Sequence, residues 1–300
     1  MTLSSPAGLS VALVTPMTED GSLDLPALER HVERMIEGGV DVLMPCGTTG
    51  ESATLEPEEQ RRIVATCVAV AAGRVPVFAG AGTNSTSGSV ALARTARAEG
   101  ASGLLLVTPY YNRPSQEGLR RHYETVVDAG GGLPVVLYNV PSRTGVNLRP
   151  ETVFRLAELE PVVAVKEASG DLDQVMTLVR DRPEGFLVLA GDDGIALPIM
   201  ALGGEGVVSV AANEVPGRMK ALVSAALAGD FDRARAVHYD LLPLLRANFL
   251  ESNPVPLKAA LQMMGLMGPF LRGPLAPLGE ESRSRLRQAL ADLGLLGSGS

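Results

Sequence analysis

Tryptophan is absent from the 300 residues, and cysteine, histidine and lysine are scarce: two Cys, three His, and only three of the 26 basic residues are lysine, at Lys166, Lys220 and Lys258. Each scarcity removes a kind of chemistry. Cys46 and Cys67 fit no metal or redox spacing, and His31, His122 and His238 provide no ligand pair at the spacing of metal motifs, so no metal site, disulfide framework or cofactor is expected. No apolar run approaches the roughly 20 residues of a membrane span, and the N-terminus lacks the basic region and apolar core of a signal peptide. A cytoplasmic protein is therefore expected. Aromatic residues make up 4%, which leaves the core to Ala, Val and Leu. Positive charge is in deficit, with 26 Lys+Arg against 34 Asp+Glu and a net charge of -8, which argues against nucleic acid or an anionic membrane as the main partner.

What the chain does contain is a repeating short apolar run followed by a helical pattern. The runs fall at residues 9–15, 40–44, 76–79, 103–108, 134–139, 162–166, 186–190 and 206–210. The helical patterns begin near Leu25, Glu56, Ser87, Ser115, Pro150, Leu172, Asp193 and Pro216. Asp24 precedes the first and Gly38-Gly39 stop it, as an N-cap and a C-terminal stop require. Eight such units point to an α/β fold of the (β/α)8 TIM-barrel type over residues 1–229. An open doubly wound sheet uses the same unit, but its dinucleotide fingerprint is missing, since Gly80-Ala81-Gly82-Thr83-Asn84-Ser85 lacks the third glycine. Residues 231–245, 253–264 and 280–296 read as helices between Pro/Gly-rich segments, so a small C-terminal helical extension is expected over residues 230–300. Its closing Gly-Ser-Gly-Ser is expected to be a disordered tail or an appended linker.

In barrels of this kind the site lies at the C-terminal ends of the strands. The sixth run, Val162-Val163-Ala164-Val165, has the unbroken apolar character of a strand buried on both faces, and it ends at Lys166. Arg cannot become an amine nucleophile, whereas a desolvated Lys can have its pKa lowered by as much as roughly 3 to 5 units. Lys166 is thus either a Schiff-base nucleophile or a lysine that snorkels to solvent or pairs with Glu167. Past the second run, Gly47-Thr48-Thr49-Gly50-Glu51-Ser52 is an ordinary turn or a carboxylate-binding loop with hydroxyls able to pass protons. The fourth run leads into Thr108-Pro109-Tyr110-Tyr111 and the fifth into Tyr138-Asn139-Val140-Pro141-Ser142-Arg143-Thr144-Gly145. The tyrosines could be core or interface filler, and Arg143 is either solvated or a fork for a substrate carboxylate. The seventh run ends in Gly191-Asp192-Asp193, with Gly191 a candidate for substrate binding and the acids equally suited to helix capping; Val208 of the eighth reads as apolar lining. One amine, several hydroxyls and a carboxylate clamp suit amine catalysis on a 2-oxo acid: an iminium acts as electron sink, so that an adjacent CH₃ loses a proton and becomes an enamine.

Gly47-Thr48-Thr49-Gly50-Glu51, Thr108-Pro109-Tyr110-Tyr111, the Tyr138-to-Gly145 run and Val165-Lys166-Glu167 together resemble the dihydrodipicolinate synthase family, also called 4-hydroxy-tetrahydrodipicolinate synthase. The resemblance spans residues 9–296 and includes Asn253-Pro254-Val255-Pro256-Leu257-Lys258. It implies condensation of pyruvate with L-aspartate 4-semialdehyde on the way to diaminopimelate and lysine. By the same resemblance Lys166 forms the Schiff base with pyruvate, Thr49 binds its carboxylate and Val208 lines its site. Tyr138 is implied as proton donor and acceptor, relaying through Thr48 and Tyr111, the last matching a residue that reaches in from a neighbouring subunit. A homotetramer, a dimer of dimers, is implied with it. Arg143 would hold the carboxylate of the second substrate. Sialic acid lyases and 2-keto-3-deoxy sugar-acid aldolases share the lysine and tyrosine but usually replace the Ser-Arg-Thr-Gly run; these, and a catalytically silent metabolite-binding barrel, are the alternatives. Lysine-sensitive members often carry His at the positions of Pro57 and Gln60 and an acid at that of Gly88, so weak or absent inhibition by lysine is expected.

Overall fold

The eight apolar runs form eight strands in a computed structural model that describes residues 5–296. They are β1 (Gly8–Ala12), β2 (Val42–Met44), β3 (Phe78–Gly80), β4 (Gly103–Val107), β5 (Val135–Asn139), β6 (Val162–Glu167), β7 (Leu187–Ala190) and β8 (Gly206–Ser209). All ladder pairs are parallel, and β1 lies between β2 and β8. That adjacency of first and last strands excludes the doubly wound sheet. Between β2 and β3 the barrel closes through a parallel bridge of Leu43 with Val77 and a hydrogen bond from Gly80 N to Pro45 O of 2.9 Å. Gly80 makes this approach possible, because a Cβ there would lie 2.0 Å from Cys46 O.

The helices α1 (Leu25–Glu37), α2 (Pro57–Ala71), α3 (Thr86–Ala98) and α4 (Gln116–Gly130) follow the first four strands. A single turn, α5 (Pro141–Thr144), precedes α6 (Pro150–Ala157); α7 (Leu172–Asp181), α8 (Ala196–Ala201) and α9 (Pro216–Leu227) complete the ring. Asp24 caps α1 as expected, its Oδ1 accepting from Ala27 N at 3.0 Å. Beyond the barrel run α10 (Phe231–Ala247), α11 (Val255–Met263) and α12 (Glu280–Asp292). Leu257 and Leu261 of α11 pack on Val14 and Val210, just past the ends of β1 and β8, so this helix covers part of the face where the strands end. The final residues 297–300 lie outside the described residues. Among the described residues no helix is long and apolar enough to cross a membrane.

Successive side chains of a strand point to opposite faces, and that parity decides which residues reach the barrel interior. Val136 and Tyr138 of β5, Ala164 of β6, Leu189 of β7 and Val208 of β8 share the inner cluster with Phe78 and Leu105. Leu137, Val165, Val188 and Val207 face the helices instead. Both faces are apolar, which explains the unbroken hydrophobic runs. On β6 the inward parity continues from Ala164 to Lys166.

Candidate active site

Strands β5 and β6 pair with Tyr138 opposite Lys166, and both residues have inward parity, so the two side chains enter the same end of the barrel side by side. Lys166 Nζ lies 4.1 Å from the centroid of the Tyr138 ring. Lys166 is only 5% exposed. Its neighbour Glu167 points the other way: its carboxylate accepts from Asn139 Nδ2 (3.0 Å), Gln174 Nε2 (3.1 Å) and Ser169 N (2.7 Å) between barrel and helices. Glu167 therefore does not neutralise Lys166. Among the described residues the lysine ion pairs are Lys220 with Asp41 and Lys258 with Glu51, which leaves Lys166 as the lysine without a carboxylate partner.

Lys166 and Tyr138 line a cavity of about 210 Å³ together with Thr48, Thr49, Arg143 and Gly191. Close packing just past β7 explains Gly191, since a Cβ there would fall 3.1 Å from Lys166 Cε and 2.7 Å from Ala168 Cβ. Asp192 also lines this cavity, whereas Asp193 has a scaffold role. Asp192 Oδ1 accepts from Gly194 N at 2.8 Å, while buried Asp193 accepts at Oδ2 from Val210 N (2.8 Å) and Ala211 N (2.9 Å), tying down the chain as it leaves β8. Val208 belongs to the same inner cluster as Tyr138, and Val210, two residues on, contributes to the cavity wall.

The loop after β2 is a tight turn, with hydrogen bonds from Gly50 N and Ser52 N to Gly47 O and from Glu51 N to Thr48 O. Cys46 and Glu51 at its ends have φ of 58° and 56°, left-handed values uncommon for residues with a Cβ, so the surroundings must hold the turn in place. They do so through Glu51, whose carboxylate forms a fully buried ion pair with Lys258 and accepts from Arg272 N at 3.1 Å. Lys258 Nζ also donates to Phe270 O at 2.7 Å. Burial draws the Lys258 ammonium below the ordinary lysine range, and the Glu51 carboxylate opposes that pull. Cys46 is no nucleophile, because burial pushes its thiol up to about 12. Thr49 is buried, and its Oγ1 accepts from Asn253 Nδ2 at 2.9 Å. Arg143 stands on the single turn α5 and donates from Nη2 to Asn253 O at 3.2 Å.

Outside this cavity lies a second of about 590 Å³, sharing with it Thr48, Val140, Ser142, Arg143 and Asn253, so the two form one cleft running from Lys166 to solvent. Tyr110 and Tyr111 line only the outer part. Tyr111 has φ of 73° and is 89% exposed, which places its ring at the rim, away from Tyr138 and Lys166 of the same chain. Asn253, Phe249 and Ser142 also line the inner wall and were not singled out as site residues by the sequence. The sequence placed Asn253 at the start of the helical pattern 253–264 and in the Asn-Pro-Val-Pro-Leu-Lys segment of the family resemblance, but nothing in it says where that helix start folds.

The chain matches the model of the dihydrodipicolinate synthetase family over residues 5–293. It is 49% identical over 291 residues to a protein of Chlorobium limicola named 4-hydroxy-tetrahydrodipicolinate synthase, a match covering 97% of this chain and 98% of that one. Among solved structures, the dihydrodipicolinate synthase of Aquifex aeolicus superposes with a TM-score of 0.95 at 43% identity, over 98% of this chain and all of that chain. The chloride-inhibited dihydrodipicolinate synthase of Acinetobacter baumannii, complexed with pyruvate, gives 0.95 at 42% identity over 97% and 100%.

Proposed function

The chain belongs to the dihydrodipicolinate synthetase family and is a lyase with 4-hydroxy-tetrahydrodipicolinate synthase activity, and we propose that the cleft around Lys166 carries out that reaction on pyruvate and L-aspartate 4-semialdehyde. The observation that carries the residue assignment is the pairing of Lys166 with Tyr138 at the strand ends, with the amine uncommitted to any carboxylate. Thr49 binds the pyruvate carboxylate, and Gly191 and Val208 shape the surface against which the three-carbon unit rests. The Lys166 amine adds to the pyruvate ketone, and loss of water leaves an iminium. Tyr138 and Thr48 move the protons that these steps release and consume. Loss of a methyl proton gives the enamine, whose carbon attacks the aldehyde of the second substrate, held by Arg143 at the outer end of the cleft. The amino group of that substrate then displaces Lys166 from the former ketone carbon, closing the ring and freeing the amine.

Tyr111 belongs to the proposal as the outer member of the proton relay, supplied to a neighbouring copy, and its exposed ring on a left-handed turn supports that role. Leu172 and Met176, exposed on α7, offer an apolar contact for a second interface, in keeping with a homotetramer. Two free, buried cysteines agree with a reducing, cytoplasmic setting. The test is product formation by the purified protein. Pyruvate with L-aspartate 4-semialdehyde should yield product far faster than the protein cleaves sialic acid or 2-keto-3-deoxy sugar acids; the reverse order would reassign the reaction within the aldolases.

A further inference from the structure

Asn253 meets the site twice through different groups. Its side-chain amide donates to Thr49 Oγ1 at 2.9 Å, and its backbone carbonyl accepts from Arg143 Nη2 at 3.2 Å. The residue is 5% exposed and borders both parts of the cleft. A hydroxyl has one proton and two lone pairs. The amide N–H occupies a lone pair of Thr49, which leaves the Thr49 proton free to be donated, and a carboxylate needs such a donor. Five residues further on, Lys258 pairs with Glu51, so one segment grips the loop on both sides of Gly50. A shift of that segment would thus move Thr49, Glu51 and Arg143 together, whereas a change confined to the side chain of residue 253 would disturb Thr49 alone.

We propose that Asn253 is a positioning residue that sets the hydrogen-bond polarity of the Thr49 hydroxyl toward the pyruvate carboxylate, while its backbone carbonyl independently steadies Arg143 for the second substrate. The inference rests on the assignment of Thr49 to the pyruvate carboxylate. Asn253→Ala removes the amide donor and keeps the carbonyl. Asn253→Asp replaces the donor by a charged acceptor that draws the Thr49 proton to itself.

The test is steady-state kinetics with both substrates varied, read as separate kcat/KM values. Loss of a hydrogen bond to a charged group corresponds to about a tenfold fall in kcat/KM for pyruvate in Asn253→Ala, and reversal of polarity to about a hundredfold fall in Asn253→Asp. In both variants kcat/KM for L-aspartate 4-semialdehyde should stay within about threefold of the wild type, since the Arg143 contact uses the backbone. Thr49→Val should lose as much as Asn253→Ala or more, and adding Asn253→Ala to it should cost little further. Parallel loss for both substrates would overturn the inference and make Asn253 a scaffold residue; so would an unchanged value for pyruvate. Should Asn253→Asp fail to fold, Asn253→Ala alone decides between these outcomes. The underlying assignment fails separately, if Thr49→Val leaves kcat/KM for pyruvate unchanged.

Discussion

At the scale of single residues the site depends on parity. Lys166 and Glu167 are adjacent, yet one faces the barrel interior beside Tyr138 and the other is held by Asn139 and Gln174 outside it. A shift of one residue in the register of β6 would exchange an amine for a carboxylate in the cavity. Lys166 was legible because it ends an apolar run in a chain that otherwise uses arginine. The partnership of Asn253 with Thr49 was not, because it joins residues 204 positions apart. Tyr138→Phe keeps the ring against Lys166 and removes only the hydroxyl. Its kcat should fall on the order of a hundredfold or more, as loss of a general acid–base group does, while pyruvate still attaches to Lys166. Single-turnover trapping together with steady-state rates checks this, and a Tyr138→Phe rate near that of the wild type would remove Tyr138 from the relay.

At the scale of elements the strands were readable from their apolar runs and the helices from their spacing and caps. The turn α5 was not, because four residues between Val140 and Gly145 are too few to show a helical period. That turn nonetheless carries Arg143. The element that most shapes the site is the loop after β2, whose left-handed Cys46 and Glu51 are held from the C-terminal region by Lys258 and Arg272. Removing one partner of a buried ion pair leaves an uncompensated charge, so Lys258→Met should destabilise the fold by about 3–5 kcal/mol. The double variant Glu51→Leu with Lys258→Met should recover part of that loss in stability, though not the placement of Thr49. Denaturant unfolding of the three variants measures the effect, and a Lys258→Met variant as stable as the wild type would show that other contacts hold the loop.

At the scale of the whole molecule, composition argued against nucleic acid or an anionic membrane as the main partner but carried no trace of the polar cluster past the ends of β1 and β8. There His31 Nε2 donates to Asn213 Oδ1 at 3.0 Å, and Asn248 Nδ2 donates to Glu214 Oε2 at 2.5 Å. Burial lowers His31 to about 4 and raises Glu214 to about 8. The two act on stability with opposite sign. Unfolding lets His31 take up a proton between pH 4 and 6.5, so its contribution is lost as pH falls through that range. The Glu214 carboxyl keeps its proton in the fold up to about pH 8 but releases it near 4.5 when unfolded, so its contribution is lost as pH rises between those values. His122 and His238, also lowered by burial, act in the same sense as His31, and the uptake by all three fades only about one pH unit above 6.5; against that background Glu214 makes the protein less stable with rising pH up to about 8. Between pH 6.5 and 8 the denaturant midpoint of the wild type should decline relative to that of Glu214→Gln, in which the histidine contributions are the same; equal slopes would show that Glu214 is ionised in the fold.

Every part of the mechanism depends on the amine of Lys166, and borohydride reduction in the presence of pyruvate tests it most directly. Peptide mass analysis should find the reduced pyruvate adduct on the peptide containing Lys166 and none on those containing Lys220 or Lys258. An unmodified Lys166, in protein that is folded and active, would contradict the Schiff-base mechanism.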